Sequence, residues 1–152
     1  MSNIERLVQK LKDYDDAKQK ALVKARILVS AAQRETELFV DHAFGSLNQA
    51  KATGLLELKR PISAQTVDVH GHQLPAHFHG LQVHAAGQTL TLAPHAEPED
   101  TSVPVRFSIK GSHDDQRVIQ RLGGQWKISR PDSHEHELVD DEVIVGLVLE
   151  LL

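Results

Sequence analysis

The sequence predicts an α+β fold: a long N-terminal helix, or a helical hairpin, packed against an antiparallel β-sheet, with a short helix near residues 113–122 and an apolar C-terminal element. Three observations predict it. From Ile4 to Leu47 there is no proline, the first glycine is Gly45, and apolar residues recur at helical spacing. Beyond Pro61 the apolar period shortens to two, the period of strands. The 152 residues, 40% hydrophobic and 25% charged, have the size and composition of one globular core. A single domain over 1–152 is therefore expected, with a helical segment over 1–53 and a mainly β segment over 62–152.

In the helical segment Ile4, Leu7, Leu11, Tyr14, Ala21, Ala25, Leu28, Ala32, Phe39, Ala43 and Leu47 form one stripe, interrupted by Lys18 and Thr36. A second apolar set, Val23, Ile27 and Leu38, falls on the opposite side, so the later part is expected to be covered on two faces. A rod of these residues would be about 66 Å long, whereas a compact domain of this size has a radius of gyration of about 15 Å. Either the helix folds back, for which Asp16 with Gln19 and Ser30 with Gln33 offer capping-box spacing, or part of it projects and needs a partner helix. The projecting helix is the favoured expectation, with Gly54 near its C-terminus.

Thr66 to Val69 alternates as a strand. Leu81 to Leu92, LQVHAAGQTLTL, reads as a hairpin turning at Ala86-Gly87, with Leu81 facing Leu92, Val83 facing Leu90, His84 facing Thr89 and Gln82 facing Thr91. VPVRFSIK follows as a strand after the acidic loop 94–104. Residues 113–122 combine early acids, later arginines and a Val118, Ile119, Leu122 face, which predicts a short helix; a hairpin turning at Gly123-Gly124 is the alternative. QWKISR reads as a strand that places Trp126 in the core. EVIVGLVLELL is apolar at nearly every position, and Asp140, Asp141 and Glu142 at its start favour a helix.

Composition removes several function classes. The chain has no cysteine, so disulfides, thiolate metal sites and cysteine nucleophiles are excluded. No apolar run approaches the roughly 20 residues of a membrane span, and the N-terminus lacks the apolar core of a secretory signal, so a cytoplasmic protein is expected. Residues 1–60 carry 11 Lys and Arg against 8 Asp and Glu, and residues 61–152 carry 6 against 13. The β segment is acidic and aromatics are only 4%, which argues against nucleic-acid binding. No G-x-S-x-G, phosphate-binding glycine loop or H-E-x-x-H occurs.

One candidate site remains. Five of ten histidines fall in HGHQLPAHFHGLQVH, residues 70–84. Alternate residues of a strand share a face about 7 Å apart, so His77 and His79 could meet one ion, with His84, His72 or His70 completing the shell around zinc or another divalent transition metal. No carboxylate lies between Asp68 and Glu97 to assist. Unbroken alternation from the secure hairpin would turn Phe78 into water. A β-bulge at Gly80 is therefore expected, returning Phe78 to the core and placing His77, His79, Gln82 and His84 together outside. His134 and His136 repeat the spacing on an acidic loop.

Three functions fit these patterns. The favoured one is a non-enzymatic, self-associating protein with a structural or ligand- or partner-binding role, its homo-oligomer built through the N-terminal helix and no cofactor required. The second is a His-ligated metalloprotein, a hydrolase or oxygenase using the His77-x-His79 strand. The third is a pH-responsive module, since imidazole ordinarily titrates near pH 6.5.

Overall fold

The computed structural model describes residues 2–111, 116–130 and 134–152. The fold is α+β. Helix α1 runs unbroken over Asn3–Lys51, and at 49 residues it is about 74 Å long. Neither internal capping-box spacing interrupts it, because no glycine or proline accompanies them. It starts where a third such box lies, in MSNIE: Ser2 Oγ accepts from the Glu5 N–H at 3.3 Å and the Glu5 carboxylate accepts from the Ser2 N–H at 3.2 Å. Ala52 caps the C-terminus, followed by Gly54 at φ 76°.

The strands are β1 (Leu56–Lys59), β2 (Ile62–Val69), β3 (His72–His79), β4 (Leu81–Ala85), β5 (Gln88–Ala96), β6 (Val105–Lys110), β7 (Val118–Leu122), β8 (Gln125–Ser129) and β9 (Glu137–Leu138). Seven of them form an antiparallel sheet in the order β1-β4-β5-β6-β7-β8-β9, and β2 and β3 pair separately. Helix α2 (Asp141–Leu151) ends the chain, its first turn capped by Asp140, whose carboxylate accepts from the Val143 N–H at 3.0 Å. The acids that favoured a helix in this apolar run thus supply its cap.

The core has two parts strung along α1. Phe39, Val40, Ala43 and Leu47 pack with Leu81, Val83, Leu90, Leu92, Phe107, Ile109, Ile119 and Ile128 of the larger sheet and with Ile144, Leu147, Val148 and Leu151 of α2. Further toward the N-terminus, Ala25, Val29 and Ala32 pack with Val67, Leu74, Ala76 and Phe78 of the β2-β3 pair and with Val103 and Val105. Gln65 ties the pair to the larger sheet: its amide donates to the Pro94 carbonyl at 2.8 Å and accepts from the Ala96 N–H at 3.2 Å. Trp126 is half-buried, 4.8 Å from Phe39 and 5.5 Å from Phe107 between ring centroids.

The β4-β5 hairpin has the expected register, Leu81 opposite Leu92 through Ala85 opposite Gln88. Ala86 and Gly87 both have positive φ, 52° and 74°, the signature of a type I′ turn. His70 and Gly71, at 52° and 81°, join β2 to β3 in the same way.

Two expectations are corrected. The short helix near 113–122 is not formed: Val118–Leu122 is strand β7, which turns at Gly123-Gly124 (φ 60° and 79°) into β8. The helical start signals at 112–115 lie outside the described residues. Val118, Ile119 and Leu122 are too few to specify a helix, and β6 and β8 offer backbone partners on both sides.

The bulge at Gly80 is also absent. Lys59 opposes Gln82 and Ile62 opposes His79, so two residues separate these pairs on each arm and nothing is inserted. Residues 56–69 and 72–85 form one hairpin in one register, interrupted at Arg60-Pro61 and Gly80-Leu81. What changes is the buried side. In β3 the even positions Leu74, Ala76 and Phe78 are buried, and in β4 the odd positions Leu81, Val83 and Ala85 are buried. The ribbon passes from one half of the core to the other by presenting its opposite face. Phe78 is in the core as expected, for a different reason.

Gly80 permits the crossing. Its N–H donates to the Pro61 carbonyl at 2.8 Å, and a Cβ there would lie 2.8 Å from the backbone oxygen of Leu92. Gly80→Ala is expected to destabilise the fold by about 1–3 kcal/mol, the range for an overpacked site, because a backbone atom must move. A denaturant midpoint unchanged by the substitution would contradict this.

Candidate functional site

The candidate metal ligands are placed as follows. His70 is a turn residue with positive φ, exposed, beside Gly71, whose N–H donates to the Asp68 carboxylate at 3.0 Å. His72 begins β3 and is half-buried. His77 is exposed, and its backbone N–H donates to Gln33 Oε1 on α1 at 2.8 Å. His79 is half-buried, with Nδ1 accepting from Arg60 Nε at 2.7 Å. His84 has both ring nitrogens engaged. Nε2 lies 3.1 Å from Gln82 Oε1, an acceptor, so it carries the proton and Nδ1 accepts from the Thr89 hydroxyl at 2.9 Å.

The face change at Gly80 separates these groups. His77 and His79 lie on the outer side of the β2-β3 pair, and His84 on the outer side of the seven-stranded sheet. Among the described residues no group of three or more His, Asp or Glu side chains is arranged to hold a metal ion. His134 and His136 are exposed, and His136 borders an open groove of about 840 Å³ beside α2, with Arg130, Glu137, Asp140 and Glu142. Arg117, on the same groove, binds Glu150. Charges of both signs line it.

Two polar clusters carry no local sequence signal, because each joins residues far apart in the chain. Arg60 holds the ribbon to α1: Nη1 binds Asp41 at 2.6 Å, Nη2 donates to the Glu37 carbonyl at 2.9 Å, Nε reaches His79, and the guanidinium stands 5.6 Å from the Phe44 ring centre. Its neighbour Pro61 was the only hint of a corner.

The second cluster contains Ser46, His42 and Asp141, the residue types of a hydrolase triad. Its geometry is different. Asp141 Oδ1 receives both the Ser46 hydroxyl at 2.5 Å and His42 Nε2 at 2.9 Å. The carboxylate is the hub, and serine and imidazole compete for one oxygen, so this arrangement gives the hydroxyl no base. The cluster clasps α1 to the first turn of α2. The Ser46 hydrogen bond, helped by His42, holds the Asp141 carboxyl below its usual pKa.

A lowered folded-state pKa contributes stability above the ordinary carboxylate range and loses it as pH falls through the folded value. The stability difference between the protein and Asp141→Asn is therefore expected to be largest near neutral pH and to shrink on acidification to about pH 3. A thermal-melting series in which the difference is constant or grows would contradict this assignment.

The largest uncommitted feature is the first half of α1. Residues 2–20 are exposed throughout, and Ile4, Leu7, Leu11 and Tyr14 are between 52% and 70% exposed. Five turns of α-helix take about 18 residues, so positions 18 apart lie on one line along the rod. Leu7 is in line with buried Ala25, Leu11 with Val29, Tyr14 with Ala32, Lys18 with Thr36 and Ala21 with Phe39. The face that the sheets cover from Ala25 onward is the face left bare before it. Among the described residues nothing supplies the expected cover on the opposite side: Val23, Ile27 and Leu38 are more than half exposed, because both sheets pack on one side of the rod.

No helix is long and apolar enough to cross a membrane among the described residues. Compared with known proteins, the chain matches no protein-family model, no curated protein and no solved structure.

Proposed function

We propose that the chain is a self-associating protein with a structural or partner-binding role, and that the projecting half of α1 is its contact surface. The observation that carries this reading is the continuity of the stripe. A helix face that is core from Ala25 onward continues with the same spacing through half-buried Ala21 to Tyr14, Leu11, Leu7 and Ile4, which have no cover. Burying a leucine or isoleucine side chain is worth about 1.5–3 kcal/mol, so several of them along one rod form an adhesive surface. The histidines support no stronger alternative, since His77, His79 and His84 are divided between the outer sides of two sheets.

Light scattering on the eluting protein at micromolar concentration tests the reading. A mass of at least twice the 16.9 kDa chain is expected. A 16.9 kDa particle at every concentration up to the high micromolar range overturns it.

A further inference from the structure

We infer that the free edge of β2 is a second self-association surface, on which β2 of another copy adds antiparallel to give a β3-β2-β2-β3 sheet shared by two chains. The inference rests on the self-associating reading above but not on the stripe of α1.

Among the described residues the two sheets end in the edge strands β1, β9, β2 and β3, and β2 is the one left unguarded. β1 is four residues long, carries the Glu57–Lys59 pair and is closely followed by Pro61, and β9 is two residues long. β3 lies against α1, where the His77 N–H donates to Gln33 Oε1 at 2.8 Å. β2 is eight residues long, ISAQTVDV, with no proline, lysine or arginine. It pairs with β3 without a bulge from Ile62 opposite His79 to Val69 opposite His72. Short length, cover, proline, bulges and basic side chains are the devices that ordinarily keep an edge from pairing, and β2 has none of them.

The backbone groups on offer follow from the ladder. Because the His77 N–H points to α1 and away from β2, the residue opposite, Ala64, points its own N–H and C=O away from β3. By the alternation of the strand, Ile62, Thr66 and Asp68 do the same. Their side chains are exposed as well, Ile62 at 60%.

A second copy fits this edge. Full antiparallel overlap of two β2 strands centres on Gln65 and sets Ala64 opposite Thr66 and Ile62 opposite Asp68. Residues directly opposite share a face, so these side chains meet, and the two Asp68 carboxylates stand at opposite ends. Parallel strands in register would put Asp68 beside Asp68. About a two-fold axis each strand satisfies the outward groups of the other. Because such pairing exchanges bonds to water for bonds to backbone, the contact is modest and concentration-dependent, joining molecules already held through α1.

Hydrogen exchange on the full-length protein at low and at high micromolar concentration, with the mass followed by light scattering, tests this. The Ala64 and Thr66 amides are expected to exchange about tenfold more slowly at the high concentration, while the mass rises beyond two chains. Ala64→Pro removes an outward N–H but no bond to β3, so the variant is expected to fold and to stop at the mass of two chains. Thr66→Lys, which adds a charge to the edge, is expected to stop there too. A parent mass that stays at two chains, with these amides exchanging at one rate throughout, overturns the inference and leaves the α1 contact intact. Amides already protected in a monomeric Leu7→Asp, Leu11→Asp protein would show that the edge is covered within one chain, which also overturns it. A single-chain mass at every concentration removes both this contact and the self-association reading.

Discussion

Replacing Leu7 and Leu11 together by aspartate is expected to leave the protein folded and to make it monomeric. Both side chains lie on the projecting half of α1, more than half exposed and in line with buried Ala25 and Val29, so neither supports the body of the chain. In a dimer the change removes four leucines from the contact. At about 1.5 kcal/mol or more for each, association weakens by on the order of 6 kcal/mol, or about four decades in Kd. It also places four carboxylates where apolar surface was covered. Sedimentation and melting read separately give the answer. The mass should fall to that of one chain while unfolding at low concentration stays cooperative. An unchanged mass would show that the stripe is not the contact, whatever else the protein binds.

Phe39→Ala is expected to cost about 3–5 kcal/mol of folding stability, the range for emptying a buried aromatic site. Phe39 is 3% exposed, with its ring 4.9 Å from Phe107 and 4.8 Å from Trp126. It is the point at which the long helix grips the centre of the larger sheet. Its loss opens a cavity among large side chains that cannot collapse without moving α1. The stability of many domains of this size is only about 5–15 kcal/mol, so the variant should melt far below the parent. Trp126 fluorescence in a denaturant titration reports the transition directly. A loss below about 1 kcal/mol would mean that the helix is held mainly elsewhere.

Much of the architecture was legible in the chain because its signals are local. The 3.6-residue period of Ile4 to Leu47 needs only the helix itself, and the Ala86-Gly87 turn brings Leu81, Val83, Leu90 and Leu92 to one face without reference to anything distant. Asp140 marked the start of α2 inside an apolar run that gave no period. The His70-Gly71 turn has the same form as Ala86-Gly87, a two-residue link with glycine second between alternating segments.

The candidate metal site shows where local reading stops. Strand spacing correctly relates His77 to His79, but whether His84 joins them depends on which side of the ribbon the protein body occupies at each point along it. That side changes at Gly80 without any change in register. The segment 118–122 makes the same point, since its few apolar residues suit a helix or a strand equally and β6 and β8 decide the matter by pairing with it.

The sequence by itself determined the long helical segment, the Ala86-Gly87 turn, the register of its hairpin and the absence of cysteine chemistry, because periodicity, turn conformation and composition act within a few residues. Only the tertiary structure decided which faces were spent on this chain's own core. Two sheets packed on one side of a rod cover α1 from Ala25 onward and leave Ile4 to Lys18 bare. A ribbon crossing between two halves of a core carries its histidines to different outer surfaces. Burial is a property of what lies opposite a side chain, and that neighbour is distant in sequence.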